Sequence, residues 1–375
     1  MRIGIDARLW NQTGVGRYIR NLIAELINLD KKNEYVVYLR KEEHEVFIPP
    51  LDRWKKRLLD IPWHTFSEQF KVPFELKKDN LDVFHFPYFN VPVFYDRPFL
   101  LTVHDLIVDH FDTGRASTKA LWFYKLKRAG YKLATHLAIK RAAKISVISE
   151  TTRNEVVEHY HIDRKEIEVT YDGLDNNFQR VADLHKATNY YNFPYIIYVG
   201  NAYPHKNLER LIYTMKKISK SKIKLVLAGT DDYFYPRLKM LVEKESLLKN
   251  IIFFGQADDE QLVNLYTYAK CLVFPSLMEG FGLPNMEAVY CGCLPVVSDI
   301  PVFHEVWGDD LSYFDPYDVD DMAKKILESV KLNNNDYNKK VRKAKLRIKK
   351  FSWRKAADKT MKIYEEIHRE NRICV

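Results

Sequence analysis

The stretch Glu279-Gly280-Phe281-Gly282-Leu283-Pro284-Asn285-Met286-Glu287 carries the strongest signal in this chain. It follows a strand-like run ending Leu272-Val273-Phe274-Pro275-Ser276, and helical sequence starts near Leu283-Pro284. In α/β sheets, ligands bind beyond the carboxyl ends of the strands. Two glycines let the backbone approach a ligand closely, and Pro284 suits a first helical turn. Free N–H groups and the positive end of the helix then form an anion site. Glu279 sits in the loop and Glu287 one turn into the helix, so both can point at the same bound molecule. Acids near a helix start also stabilise its dipole; that accounts for Glu287 but not for the adjacent Gly-x-Gly.

Outward from this motif, short β-branched runs alternate with amphipathic helices, the signature of parallel sheets covered by crossover helices. The second half places strands at Tyr195 to Val199, Ile223 to Ala228, Ile251 to Phe254, Cys271 to Phe274 and Leu294 to Ser298. The first half opens with Arg2 to Ile5, a glycine loop Thr13-Gly14-Val15-Gly16, and a helix with Ile19, Leu22, Ile23, Leu26 and Ile27 on one face. Further strands are read at Tyr35 to Leu39, Val83 to Phe86, Phe99 to Val103 and Ile145 to Ile148. The alternation lapses between Asp172 and Asn192, and the domain boundary is placed there. The expected class is α/β: a Rossmann-like domain over 1–178, a second over 179–350, and a C-terminal helix over 351–375 crossing back to the first. Two halves of nearly equal size suggest a cleft between them.

Composition agrees with two globular domains. The chain has 375 residues, 46% apolar and 29% charged, which excludes intrinsic disorder. Its apolar runs are strand-sized and cannot span a bilayer. The start Met1-Arg2-Ile3-Gly4-Ile5-Asp6 puts an acid where a signal peptide needs apolar residues, so a cytoplasmic protein is expected. Cys271, Cys291 and Cys293 cluster without a fourth metal ligand and read as buried thiols of a reducing compartment. Cys374, next to last, is misplaced for prenylation. A net charge of +9 and 24 tyrosines raise the question of nucleic acid. Nothing resembles a nucleic-acid-binding module, and the aromatics sit in strands where a core uses them.

The Glu279/Glu287 element resembles the signature of retaining glycosyltransferases of family 4, which have the GT-B fold of two Rossmann-like domains. Gly14-Val15-Gly16 after the first strand is similar to that family's amino-terminal glycine loop. Val103-His104-Asp105 at a strand end is similar to its His-Asp element, and Pro204-His205-Lys206-Asn207 after Tyr198-Val199-Gly200 to its phosphate-binding segment. Val296-Val297-Ser298 and Phe351-Ser352-Trp353 also match, in order, along nearly the whole chain. The resemblance implies that Glu287 binds the ribose of a nucleotide-sugar donor. Glu279, with the backbone of Phe281 and Gly282 in the Gly280–Leu283 loop, would hold hydroxyls of its sugar. Lys206 would neutralise the diphosphate, which gains charge as it leaves. Gly14 and Gly16 would let their loop approach the same diphosphate, and His104 would contact the sugar near the reacting carbon. Many relatives carry an Arg where Asn201 stands here; helix N–H groups with Lys206, or else His205 or Arg210, would then serve.

Other readings are weaker. Ile19 occupies the third glycine position of a dinucleotide fingerprint, which disfavours an oxidoreductase. Asp318-Val319-Asp320 precedes a helical run and reads as a helix cap rather than a metal-binding Asp-x-Asp. His104, Asp105, Asp109 and His110 are too few to make a firm metal site, so no metal or other cofactor is expected. A nucleotide-sugar epimerase or an inactive nucleotide-sugar-binding homologue stays open. The resemblance is greatest to bacterial mannosyltransferases of surface polysaccharides. It implies mannose as donor sugar and a glycan or polyprenyl-linked acceptor.

From Arg115 to Lys144 there are nine Lys/Arg residues and no acid, and Lys125, Lys127, Arg128 and Lys132 lie among Leu121, Trp122, Phe123, Tyr124, Leu126 and Tyr131. This block reads either as a solvated basic helix face or as a docking surface for an anionic membrane. The second reading makes the protein peripheral on the inner face of the membrane.

Overall fold

The computed structural model describes residues 1–111, 121–229 and 233–373, the side chains of 121–128 and of residue 373 excepted. The described residues fall into two compact units, one from 1–106, 121–173 and 352–373, the other from 107–111, 174–229 and 233–351. Each is built on a single parallel sheet. The first carries β1 (Arg2–Asp6), β2 (Glu34–Leu39), β3 (Trp54–Leu58), β4 (Val83–Phe86), β5 (Phe99–Val103), β6 (Lys144–Val147) and β7 (Ile167–Val169), in the order β3-β2-β1-β4-β5-β6-β7. The second carries β8 (Tyr195–Val199), β9 (Lys224–Ala228), β10 (Ile251–Gly255), β11 (Leu272–Phe274), β12 (Pro295–Ser298) and β13 (Ser312–Phe314), in the order β10-β9-β8-β11-β12-β13. Strand order reverses between β1 and β4 and between β8 and β11. These are the topological switch points at which α/β sheets bind ligands.

Burial explains which strands the sequence announces. Central strands covered on both faces read as continuous apolar runs; β8 is Tyr195-Ile196-Ile197-Tyr198-Val199, buried throughout. The strands missed in sequence are all at sheet edges. In β3, Trp54-Lys55-Lys56-Arg57-Leu58, only Trp54 is fully buried, while β7 and β13 have three residues each. Short, charged edge strands resist pairing with another chain, and that property erases the hydrophobic pattern.

The polar stretch after Asp172 also differs from its reading as a linker. It contains a helix, Asn176–Leu184, whose N-terminus is capped by the Asp175 carboxylate accepting from the Phe178 N–H at 2.9 Å. Phe178 is fully buried with its ring 6.3 Å from Tyr266, and Tyr290 donates to Asp183 at 2.6 Å. These contacts tie the helix to the second unit, so the change of unit comes at Gly173, ahead of the expected 178.

The terminal helix, Trp353–Ile373, is held in the first unit. Tyr364 meets His85 Nδ1 at 2.7 Å and Lys359 donates to the Val169 carbonyl at 2.8 Å. No helix among the described residues is long and apolar enough to cross a membrane. Cys271 and Cys293 are buried free thiols and Cys291 is half-buried; burial pushes Cys271 and Cys291 up to about 12, so they remain protonated. Cys374 lies outside the described residues.

Candidate functional site

In the second unit, the loops leaving β8 and β11 are clamped together. A tight turn at Pro204–Lys206 leads into Asn207, which is left-handed at φ +59. Asn207 donates to the Pro275 carbonyl at 3.1 Å and the Pro316 carbonyl at 2.7 Å, and the Leu277 N–H donates to His205 at 2.7 Å. This clamp presents Lys206 to the motif loop. Its ammonium donates to Glu279 Oε1 at 2.5 Å and lies 5.5 Å from the Phe274 ring centroid. The pair is largely enclosed, with 13% of the Lys206 side chain and 9% of Glu279 exposed.

The motif helix is Leu283–Tyr290. Gly282 precedes it at φ +87, where a Cβ would come within 2.8 Å of both Asn285 Nδ2 and the Phe303 ring. Only glycine fits that turn. Gly280 and Phe281 are buried behind it, and Leu283 is partly exposed at the helix start. Glu287, 3% exposed, accepts from the Tyr266 hydroxyl at 3.3 Å. The two carboxylates therefore have separate partners, one an ammonium and the other a phenol. Asn285 is completely buried and neither end of its amide has a hydrogen-bond partner in the protein; the Ser276 hydroxyl and His205 Nδ1 are likewise buried and unpartnered. Unsatisfied polar groups are uncommon in protein interiors, and here they line the loops on which the ion pair sits.

Of the three substitutes considered for a cation at Asn201, His205 is disfavoured. Burial, reinforced by Lys206, pushes its pKa down to about 2, so it is neutral. Arg210 donates to Asn207 Oδ1 at 2.9 Å and lies over the Tyr317 ring at 5.2 Å. It braces the clamp from the side.

In the first unit, Gly14 opens the helix Gly14–Leu29. Gly14 has open space where a Cβ would stand, whereas at Gly16 a Cβ would lie 2.3 Å from the Trp10 carbonyl oxygen. The tight approach that requires Gly16 is thus made by its own loop. His104, at the end of β5, is 7% exposed and bonds through Nε2 to the Pro87 carbonyl at 2.8 Å. A carbonyl only accepts, so Nε2 carries the proton and Nδ1 the lone pair. Burial pushes the pKa down to about 4 and the ring is neutral at pH 7. Nearby, Glu155 is pushed up to about 7 by burial and then by the charges of Asp105 and Glu158.

One group went unread in sequence. Just after β1, Arg8 is completely buried between Asp6 at 2.6 Å and Glu68 at 2.8 Å, and Asn90 donates to Asp6 at 2.7 Å. This cluster anchors the start of the glycine loop. Asp6 and Arg8 were visible at a strand end, but their partner Glu68 lies too far along the chain for a spacing rule.

Asp318 accepts from the N–H groups of Asp320 and Asp321 at 2.8 and 3.2 Å and caps the helix Val319–Val330, as its position suggested. In the basic block, the side chains of Lys125, Lys127 and Arg128 lie outside the described residues, and Lys132 is exposed on the helix Leu121–Arg141. Arg141 donates to the carbonyls of Val93 and Tyr95, and Lys144 pairs with Glu370 at 3.3 Å. Part of the block therefore holds the unit together.

Comparison with known proteins adds a separate line of evidence. Residues 12–178 match the family model for Glycosyltransferase Family 4, and residues 182–347 that for Glycosyl transferases group 1. The O-antigen chain mannosyltransferase RfbU of Salmonella typhimurium is 26% identical over 70% of this chain and 69% of its own. The O-antigen chain mannosyltransferase B of Escherichia coli is 26% identical over 76% of this chain and 74% of its own. Among solved structures, Anabaena HepE in complex with UDP and glucose superposes with a TM-score of 0.72 at 15% identity, covering 98% of this chain and all of that one.

Proposed function

The chain belongs to the glycosyltransferases of family 4, on the GT-B fold, and from that membership we propose that it transfers a hexose, mannose in the first instance, from a nucleoside-diphosphate sugar. The acceptor is a glycan or a polyprenyl-linked glycan, the product keeps the donor's anomeric configuration, and no metal takes part. Support for mannose comes from the two O-antigen mannosyltransferase relatives.

The observation that carries the reading is the enclosed Lys206–Glu279 pair beside the start of the motif helix. A nucleoside-diphosphate sugar offers a double anion and a ring of hydroxyls. Lys206 meets the diphosphate and leaves its carboxylate partner; Glu279, so released, accepts from sugar hydroxyls. Glu287, aligned by Tyr266, accepts from the ribose. As the glycosidic bond breaks, charge grows on the departing phosphate, and a fixed ammonium stabilises that transition state more than the ground state. The acceptor hydroxyl attacks the same face and passes its proton to the leaving phosphate. His104, neutral and held by Pro87, offers lone-pair density to the developing positive sugar carbon without competing for the proton. Asp318 Oδ1 caps the helix Val319–Val330, which supports reading the Asp-x-Asp as a helix start.

The test is a thermal-shift panel of nucleotide sugars followed by product analysis in a chelator. A donor at 100 times its dissociation constant adds about 2.7 kcal/mol of stability. A retained glycoside is expected. Isomerised donor points to an epimerase, binding without product to an inactive homologue, and an inverted product or a trapped glycosyl-enzyme overturns the mechanism.

A further inference from the structure

We propose that the helix Phe66–Lys77 of the first unit is a lipid-interface surface, through which the protein docks on a phospholipid bilayer by burying phenyl rings. Phe66, Phe70 and Phe74 recur on successive turns, four residues apart, and so share one face. That face is open: they are 89%, 63% and 65% exposed. Phe94, 57% exposed, extends the stripe with its ring 4.8 Å from Phe70. The opposite face is anchored in the unit by Val72, Pro73 and Leu76, all buried. Single exposed apolar side chains are ordinary on a protein surface, but a contiguous aromatic stripe marks a contact surface. Beside it, a cavity of about 650 Å³ lies between Phe70 and Phe74 and the chain at Leu58, Leu59 and Ile61, with the charged Asp60, Lys71 and Glu75 also in its wall.

Two observations select a bilayer over a protein. Four phenylalanines at about 150–250 Å² each, reduced to their exposed fractions, present about 400–700 Å². That falls short of the about 800 Å² per partner of a stable interface. Three lysines belong to this helix or follow it: Lys71 is exposed, Lys77 pairs with Asp96 at 3.1 Å, and Lys78 pairs with Glu75 at 2.8 Å while lying 4.9 Å from the Phe74 ring centroid. Long lysine stems keep their charge among headgroups while the neighbouring rings sink. Because acids neutralise part of this charge, apolar burial leads and attraction to anionic lipid is secondary. That distinguishes this surface from the basic block at 115–144. The inference adds to the transfer reading a membrane on which a lipid-linked acceptor would be met; its test needs no donor, so the two can fail separately.

The experiment is sedimentation of the full chain with phosphatidylcholine vesicles, and with vesicles containing an anionic lipid, at low and high salt. Binding to the neutral vesicles, persisting in high salt, is expected. Phe70→Ser should weaken it about tenfold, and Phe70→Ser with Phe74→Ser about a hundredfold, with thermal midpoints only slightly lowered because the two side chains are 63% and 65% exposed. Phe70→Trp, which keeps an aromatic ring at the site, should blue-shift its emission on vesicles and be quenched from within the bilayer. Binding only to anionic vesicles and abolished by salt overturns the proposal in favour of the basic block. Self-association that the serine variants abolish, without vesicle binding, overturns it in favour of a second copy of the chain.

Discussion

Replacing Glu279 by glutamine keeps the side chain's shape and one acceptor oxygen, and removes the charge opposite Lys206. The contact is 2.5 Å long and its partners are 9% and 13% exposed. Breaking a buried pair from one side costs about 3–5 kcal/mol. The glutamine oxygen still accepts from the ammonium, which recovers about 0.5–1.5 kcal/mol. The partly open rim recovers a little more, leaving about 2 kcal/mol. The expected result is therefore a lower urea midpoint for Glu279→Gln without ligand. A nucleoside diphosphate should then stabilise the variant at least as much as the wild type, because phosphate no longer displaces a carboxylate from Lys206. Turnover with the sugar donor should fall, since the acceptor for the sugar hydroxyls is weakened. A double-mutant cycle with Lys206→Met isolates the pair, and partners in contact should show a coupling of about 0.5–3 kcal/mol. Glu279→Gln and Lys206→Met effects that simply add, or a nucleoside diphosphate affinity that Glu279→Gln reduces as much as Lys206→Met does, would refute the exchange of partners.

Two further outcomes are expected. Gly282→Ala combines a left-handed φ of +87 with a Cβ 2.8 Å from Asn285 and Phe303. It should cost about 2–4 kcal/mol and abolish nucleotide binding by calorimetry, whereas Gly14→Ala, which meets nothing, should leave stability unchanged or slightly raised. Stability should also fall in acid. His104 and His85 are held at about 4 and about 3 against an ordinary 6.5, so the unfolded chain binds more protons in that interval. Their contribution is complete above about pH 6.5 and is lost as the pH drops toward 4. Glu155, raised to about 7, acts in the opposite sense between pH 7 and its ordinary 4.5. His104→Gln should therefore flatten the stability profile below pH 6.5 by about 1.4 kcal/mol per pH unit, measured by urea unfolding at a series of pH values.

The fold was legible wherever strands are buried on both sides, because burial forces a short, β-branched apolar run bounded by turn residues. The edge strands β3, β7 and β13 escaped because they are charged or only three residues long, and the helix Asn176–Leu184 because its signal is a cap and a single buried aromatic, Phe178. The motif loop was legible because Gly282 and Pro284 have few other uses at a helix start. That Lys206 would be bonded to Glu279 was not, since the two are brought together by Asn207, Pro275 and Pro316 across three loops. The Arg8 cluster was hidden for the same reason. Charge counting pointed to 115–144 and passed over Phe66, Phe70 and Phe74, because an exposed phenylalanine looks like a buried one until the burial is known.

The terminal helix bears on how this protein is made. Its Tyr364 closes a bond with His85 inside the first unit, yet it follows the main segment of the second unit in the chain. The second unit draws nearly all of its chain from one uninterrupted segment and can finish folding while translation continues. The first cannot. Domains ordinarily fold in the order of synthesis; here the amino-terminal half must wait, with the apolar surface that later covers Tyr364 and Trp353 open, until the helix Trp353–Ile373 has been made. Residues 1–350, held on the ribosome through a linker long enough to span the exit tunnel, should thus display a protease-resistant second unit and a cleavable first one.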